Sequence, residues 1–284
     1  MVGVQTGVQT DSVKDVMTGW VVIISPTDSL LKARDLMTES RVSQLVVVDE
    51  KKRPTGLISK RDIARFLLED TTTRKLGEIP VFEAASKSIP TMRADTRVFS
   101  AARMFDTENL TYAVVTNENP LLGIVTETDL CHYYSQKFPG KCKVKDFMES
   151  DFIFAKSSYS IVHVAHAIVF RQPSVPVIDE QLVGILTLSD LLSIRERAPK
   201  APYSRLKPQI ADDMALITTK DLMTLNPVTT REETDLAQAA QMITNKGISS
   251  LPVIDSESRV IGLLTKRDVV NALGRVGGDI ILEA

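Results

Sequence analysis

One seven-residue phrase recurs four times along this 284-residue chain. It reads Gly-Leu-Ile-Ser-Lys-Arg-Asp at 56–62, Gly-Ile-Val-Thr-Glu-Thr-Asp at 123–129, Gly-Ile-Leu-Thr-Leu-Ser-Asp at 184–190 and Gly-Leu-Leu-Thr-Lys-Arg-Asp at 262–268. The closing aspartates Asp62, Asp129, Asp190 and Asp268 are spaced by 67, 61 and 78 positions, so the repeat accounts for nearly all of the 284 residues. Recurrence at that period makes the structural unit smaller than an ordinary domain. A unit that small buries too little surface to be stable alone and is expected to pair with a neighbour.

Upstream of each phrase the local patterns follow one order, clearest in the fourth copy. Lys220-Asp221-Leu222-Met223-Thr224 reads as a helical turn, Pro227 to Thr230 as a short β-prone run, and Thr234 to Lys246 as a helix stopped by Gly247. Leu251 to Asp255 and Val260 to Leu264 read as two strands around a polar turn, and a last helix is expected from Thr265 to about Leu273. The first copy keeps register: Met17 to Asp49 and Met223 to Asp255 are both 32 residues apart, and Met148 to Asp179 in the third is 31. The second copy lacks the Lys-Asp-x-Met opening, and Glu83 to Ser88 before it reads as an extended linker. Pro199, Pro202 and Pro208 favour an extended connection between the third and fourth copies. The expected division is a disordered tail over 1–11, repeats at 12–70, 75–136, 140–197 and 219–276, a linker over 198–218 and a tail over 277–284.

The Met-Thr opening, the Leu-Pro-Val-Ile-Asp strand and the Gly-x-x-Ser/Thr-x-x-Asp phrase, in this order and spacing, resemble the cystathionine-β-synthase (CBS) domain family across residues 12–275. The resemblance implies an α/β (α+β) fold of four β-α-β-β-α repeats, paired through their sheets into two Bateman modules, about 12–136 and 140–276, that form a flat disc. Four tandem copies are similar in layout to gamma subunits of AMP-activated protein kinase.

Ser59, Thr126, Thr187 and Thr265 each stand where a strand ends and a helix begins, three residues before an aspartate. That is a capping box, worth about 1 kcal/mol per helix. It leaves open why the acid is always Asp when Glu caps reciprocally as well or better. A helix N-terminus also presents free N–H groups to an anion, and a short carboxylate beside it can accept both hydroxyls of a ribose. The resemblance implies that these aspartates hold ribose, that the hydroxyl residues lie near phosphate or ribose, and that adenine enters an apolar cleft. The cleft residues carried over are Val42-Ser43-Gln44, Leu110-Thr111-Tyr112, Gln172-Pro173-Ser174 and Ile248-Ser249-Ser250, whose main chain would read the adenine edge.

Lys60-Arg61 and Lys266-Arg267 place two cations in a first helical turn, unfavourable for the dipole and favourable for phosphate, against the alternative of solvated surface charge. Glu127 would repel a phosphate, and Leu188-Ser189 offers no charge. The Asp62 and Asp268 sites therefore rank first for a nucleotide. The expected ligand is AMP, ADP or ATP; S-adenosylmethionine or methylthioadenosine would use the same ribose aspartate.

Net charge is −2 and the pI about 6.0, which gives no overall attraction to nucleic acid or anionic membrane. Residues 1–10 hold no basic start or apolar run, and the longest apolar stretch, Ile161–Phe170, is far below the ~18 residues of a membrane span. A cytoplasmic protein with two reduced thiols, Cys131 and Cys142, is the expectation. His163 and His166, at i and i+3, have no evident third metal ligand, and no metal site is expected. The sequence contains no phosphate-loop, nucleophile-elbow or dinucleotide fingerprint. The expected role is thus non-catalytic: a regulatory sensor that signals to an unidentified protein or to a like subunit. The rival is a ligand-free interaction scaffold. Lys200–Gln209 and the tails are the candidate contact segments, and Trp20 is expected in the core or an interface.

Overall fold

The computed structural model describes residues 11–70, 72, 74–117, 121–193 and 217–282, the last five in backbone only. The start of the N-terminal tail and nearly all of the 198–218 linker, including Lys200–Gln209, lie outside the described residues. Each repeat builds a three-stranded sheet. The first holds β1 (Ile23–Ile24), β2 (Gln44–Val48) and β3 (Pro54–Ser59), and the second β4 (Thr91–Met92), β5 (Tyr112–Thr116) and β6 (Leu121–Thr126). In the third are β7 (Ser174–Ile178), β8 (Leu182–Thr187) and β9 (Thr224–Leu225); the fourth holds β10 (Thr230–Arg231), β11 (Ser250–Ile254) and β12 (Val260–Thr265). Two helices complete each repeat: α1 (Leu30–Glu39) and α2 (Lys60–Glu69), α3 (Val98–Thr107) and α4 (Glu127–Lys137), α5 (Ile161–Phe170) and α6 (Leu188–Leu192), α7 (Leu236–Lys246) and α8 (Lys266–Leu282).

Local chemistry explains most of these boundaries. Ser29 and Asp235 cap α1 and α7 by accepting from Lys32 N and Ala237 N, and Gly247, at φ 63°, ends α7 in the left-handed conformation expected of a helix stop. The turns after β2 and β11 share one device: Asp49 and Asp255 each accept main-chain N–H groups from the turn and pair with Arg53 and Arg259. The last helix runs past the expected Leu273 to Leu282, so residues 277–282 are helix rather than tail. The reason is tertiary: Gly274 and Gly277 let α8 lie directly on Arg103 and Phe99 of α3, and Arg103 Nε donates to Gly274 O.

Repeats 1 and 2 meet through their sheets, where Val46, Val48, Leu57, Val114 and Ile124 form a buried cluster. Repeats 3 and 4 also pair, with Ser174 Oγ and Ser250 Oγ hydrogen-bonded to each other. The helices close the ring the other way. One core joins the helices of repeats 1 and 3 around Leu30, Met37, Ile63, Ile161 and Ile168, and the other joins repeats 2 and 4 around Phe105, Leu130, Tyr134, Ile243 and Leu273. The disc therefore runs 1, 2, 4, 3 around its centre, with repeats 1 and 4 diagonal to each other.

The opening of every repeat is exchanged onto its partner's sheet. Thr18 pairs with Ile124, Ser86 with Leu57, Glu149 with Leu263 and Thr224 with Ile185. The stretch expected as an extended linker before repeat 2 belongs to this scheme: Val81–Ala84 is a helical turn and Ser86 exchanges two hydrogen bonds with Leu57. Trp20 is 69% exposed and takes no part in the core of this chain, which corrects the core half of the expectation for it. Cys131 is buried, with its thiol pushed up by that burial, and Cys142 is partly buried. No described helix is long and apolar enough to cross a membrane.

Candidate functional site

All four phrases fold alike. The hydroxyl and the N–H of Ser59, Thr126, Thr187 and Thr265 donate to Oδ2 of Asp62, Asp129, Asp190 and Asp268, at 2.5–2.9 Å. One carboxylate oxygen thus closes the capping box at every site. The short Asp side chain then holds Oδ1 beside the helix entrance.

What Oδ1 meets divides the sites. Thr18, from the exchanged opening of repeat 1, donates to Asp129 Oδ1 at 3.0 Å, and Thr224 donates to Asp190 Oδ1 at 3.3 Å. Ser86 holds the equivalent place for Asp62 but donates to Ser88 O, and among the described residues Asp62 Oδ1 has no hydrogen-bond donor and a long ion pair to Arg65 at 3.8 Å. Glu149 replaces the threonine at Asp268, whose Oδ1 has no described donor. The two aspartates whose second oxygen has no described hydrogen-bond donor are therefore the two preceded by Lys-Arg.

Burial pushes the Asp268 carboxyl up to about 6 against the Thr265 hydrogen bonds, and Glu149 and Glu127 add to the rise. Because this value lies above the unfolded one of 3.8, the group's contribution to stability is complete below pH 4 and is lost as pH rises through about 6. Glu149→Thr removes an opposing charge and supplies a donor. It is expected to stabilise the protein at pH 7 by about 1 kcal/mol, with the gain vanishing towards pH 4. Urea unfolding of both proteins from pH 4 to 8 checks this, and a gain independent of pH would refute it.

The carried-over cleft residues come to the same end of each sheet. Ser43, Thr111 and Ser249 use their carbonyls to accept from Lys60 N, Glu127 N and Lys266 N, so those oxygens support the phrase. Tyr112 lies beside Asp62 of the paired repeat: burial pushes its hydroxyl up to about 12, and the Asp62 charge adds to this. Gln44 takes the position equivalent to Tyr112 in repeat 1. Val42, Leu110 and Ile248 are partly buried apolar walls.

Pro173 leads into buried Ser174, which bonds Ser250 rather than facing a ligand. Gln172 is committed elsewhere: its amide donates to Ile153 O and Ser174 O, both at 2.7 Å, and accepts from Ile153 N at 2.8 Å. In repeats 1 and 2 the carbonyl at the place of Ile153 is satisfied by Val46 N and Val114 N, but Pro176 and Pro252 remove that donor in the other two. Gln172 supplies it in repeat 3. In repeat 4 Ile248 cannot, so the Val228 main chain, at the sheet end carrying Asp268, has no described partner.

The residues between hydroxyl and aspartate converge on the disc centre. Lys60 Nζ donates to Ser189 Oγ of repeat 3 at 3.2 Å, and Lys266 Nζ donates to Thr128 Oγ1 of repeat 2 at 2.8 Å. Burial lowers Lys60 from its ordinary value, and the charge of Lys266 lowers it further. Arg61 is also driven down by burial and has no described ion-pair partner. Arg267 reaches across to repeat 2, bonding Asn109 Oδ1, Leu110 O at 3.1 Å and Glu127 Oε1 at 3.1 Å. Lys60 thus approaches Lys266, Arg61 lies within the fields of Arg267 and Glu127, and none of Lys60, Arg61 and Lys266 forms an ion pair among the described residues, which is the electrostatic form of an anion site.

Sequence reading placed Glu127 only as a repelling charge and missed the roles of Thr18, Thr224 and Glu149. Their signal was present, since all three stand one residue after a Met. Only the exchanged pairing shows that this residue faces the partner's aspartate.

The CBS-domain family model matches residues 13–69, 77–136, 144–197 and 220–275. Protein MJ1225 of Methanocaldococcus jannaschii is 26% identical over 267 residues, covering 88% of this chain and 94% of its own. Its crystal structure superposes with a TM-score of 0.80 at 23% identity, covering 92% of this chain and 99% of that one. An uncharacterised conserved protein of Pyrococcus horikoshii gives 0.63 at 18% identity over the same shares. With the family model covering most of its length and each match containing one of the four capped aspartate phrases, this chain belongs to the CBS-domain family and carries four tandem CBS domains.

Proposed function

We propose that this protein is a non-catalytic regulatory sensor that binds an adenosine nucleotide, AMP, ADP or ATP, in the clefts at Asp62 and Asp268. The observation that carries the reading is the presence together of two aspartate oxygens without a described hydrogen-bond donor and three half-buried cations, Lys60, Arg61 and Lys266, that form no ion pair among the described residues. Ribose hydroxyls donate to Asp62 or Asp268 Oδ1, and the phosphates extend inward to the cations. At Asp268, Ile248 walls the cleft and the unpartnered Val228 main chain reads the adenine edge; at Asp190, Gln172 already occupies the corresponding main chain. MJ1225, similar over nearly the whole length, has been put forward as an archaeal homologue of γ-AMPK, which accords with this reading.

Each ligand touches groups from two or more repeats, so binding biases their relative placement by its difference in affinity between arrangements. The signal passes to a separate protein or to a like subunit. Isothermal titration with AMP, ADP, ATP and S-adenosylmethionine tests the proposal. Nucleotide binding is expected to weaken about tenfold or more at the altered site in Asp62→Ala and Asp268→Ala. No heat with any nucleotide, in folded protein, would reduce the phrases to helix caps and leave a protein-interaction scaffold.

A further inference from the structure

Among the described residues Glu127 is the acid that penetrates the central cluster. It occupies the first helical position of α4, the place that Lys60 and Lys266 hold in α2 and α8. Its side chain is only 17% exposed and lies 3.1 Å from Arg267 of the opposite module. Burial works against its charge, while Arg267, Lys266 and Arg61 all favour it. An acid in a first helical turn would ordinarily be placed favourably in solvent; this one is turned inward onto the single arginine of the cluster with an ion partner.

Resting on the proposed nucleotide reading for its ligand class, we propose that Glu127 is the specificity residue of the centre: an internal carboxylate that occupies the Arg267 position a ligand's outer phosphate takes. A ligand must exchange its own anion for Glu127, so admission depends on how much negative charge it brings. Three cations, Arg267, Lys266 and Arg61, act on this one carboxylate, and Lys60 stands beside Lys266. A monophosphate, carrying about −1.5 to −2, is accommodated on the lysines and Arg61 with Glu127 in place. A triphosphate reaches Arg267 and must face or displace Glu127. The exchange also releases the link from Arg267 to α4, which joins repeats 2 and 4, so longer phosphate chains loosen a contact between the modules.

Titration of the full chain with AMP, ATP and inorganic tripolyphosphate, as wild type, Glu127→Gln and Glu127→Asp, tests this. Glutamine keeps an acceptor for Arg267 and removes the charge. The expected gain is about tenfold for ATP and tripolyphosphate and no more than about threefold for AMP, because the removed repulsion scales with ligand charge. Glu127→Asp, which withdraws the carboxylate by one methylene, should show a smaller gain in the same order. Folding is verified by thermal unfolding, and the aspartate variant decides the matter if the glutamine variant does not fold. Equal or weaker polyphosphate binding in the folded variants, or no tripolyphosphate binding to any of them, overturns the proposal. The two readings separate cleanly: tripolyphosphate binding that tightens in Glu127→Gln without nucleotide binding defeats the adenosine reading alone, and Asp268-dependent nucleotide binding with no charge-ordered gain defeats the Glu127 reading alone.

Discussion

Gly123→Ala is expected to destabilise the protein by about 2–4 kcal/mol. A methyl group at Gly123 would stand 2.6 Å from the Thr18 carbonyl oxygen and 3.1 Å from Met17 Sδ. The nearest obstacle is main chain, which cannot rotate aside. Thr18 and Ile124 exchange two hydrogen bonds at this point, 2.9 and 3.0 Å long, and Thr18 also donates to Asp129. Pushing the strand away therefore disturbs the sheet edge, the exchanged opening and one aspartate site together. Gly184→Ala meets mainly the Met223 side chain, with Sδ at 2.6 Å and Cγ at 2.9 Å. A flexible thioether can move, so a smaller loss is expected there. Gly19→Ala meets nothing within 4 Å and serves as the control, expected within about 0.5 kcal/mol of wild type. Urea unfolding of the three variants measures the order; equal losses at Gly19 and Gly123 would refute the exchanged pairing as the reason for the glycine.

Removing both central lysines, Lys60→Met with Lys266→Met, is expected to abolish most triphosphate binding while leaving the unliganded fold as stable or more so. The two ammonium groups are half-buried, and the Lys266 charge presses on Lys60. Among the described residues the hydrogen-bond partner of each ammonium is a hydroxyl, Ser189 or Thr128. Methionine keeps the aliphatic stem and removes an unfavourable desolvated charge, giving an expected gain of about 0.5–1 kcal/mol. In the bound state the same charges face phosphate, and their loss should weaken ATP by about a hundredfold. The paired signature separates a ligand site from a structural one: the ATP-induced rise in Tm disappears while the ligand-free Tm holds or increases. A fall in the ligand-free Tm with ATP binding intact would contradict the assignment.

Much of the architecture was legible because its determinants are local. The capping box spans three residues, Gly247 ends α7 through its own backbone freedom, and strand runs and helix periodicity repeat at constant spacing within each copy. Aspartate, hydroxyl and Lys-Arg positions could therefore be named from the phrase alone. The linker reading at Glu83–Ser88 failed because the sequence there lacks Met, while the contact that shapes it, Ser86 on Leu57, lies almost thirty positions back in the chain. Helix α8 was read short because Gly274 and Gly277 are poor helix formers locally, and only packing against α3 offsets that cost.

The sequence by itself determined the repeat, the order of elements within it and the capped aspartate at each helix entrance, since each follows from interactions among residues close in the chain. Tertiary structure decided which repeat faces the second oxygen of each aspartate, why the phrase begins with glycine, and that Glu127 pairs with Arg267 while Lys60, Arg61 and Lys266 form no ion pair among the described residues. Those outcomes depend on contacts between different repeats, from 34 residues apart for Thr224 with Asp190 to 111 for Thr18 with Asp129 and 129 for Lys60 with Ser189. Nothing in the local pattern can encode such contacts until the four units have closed into a ring.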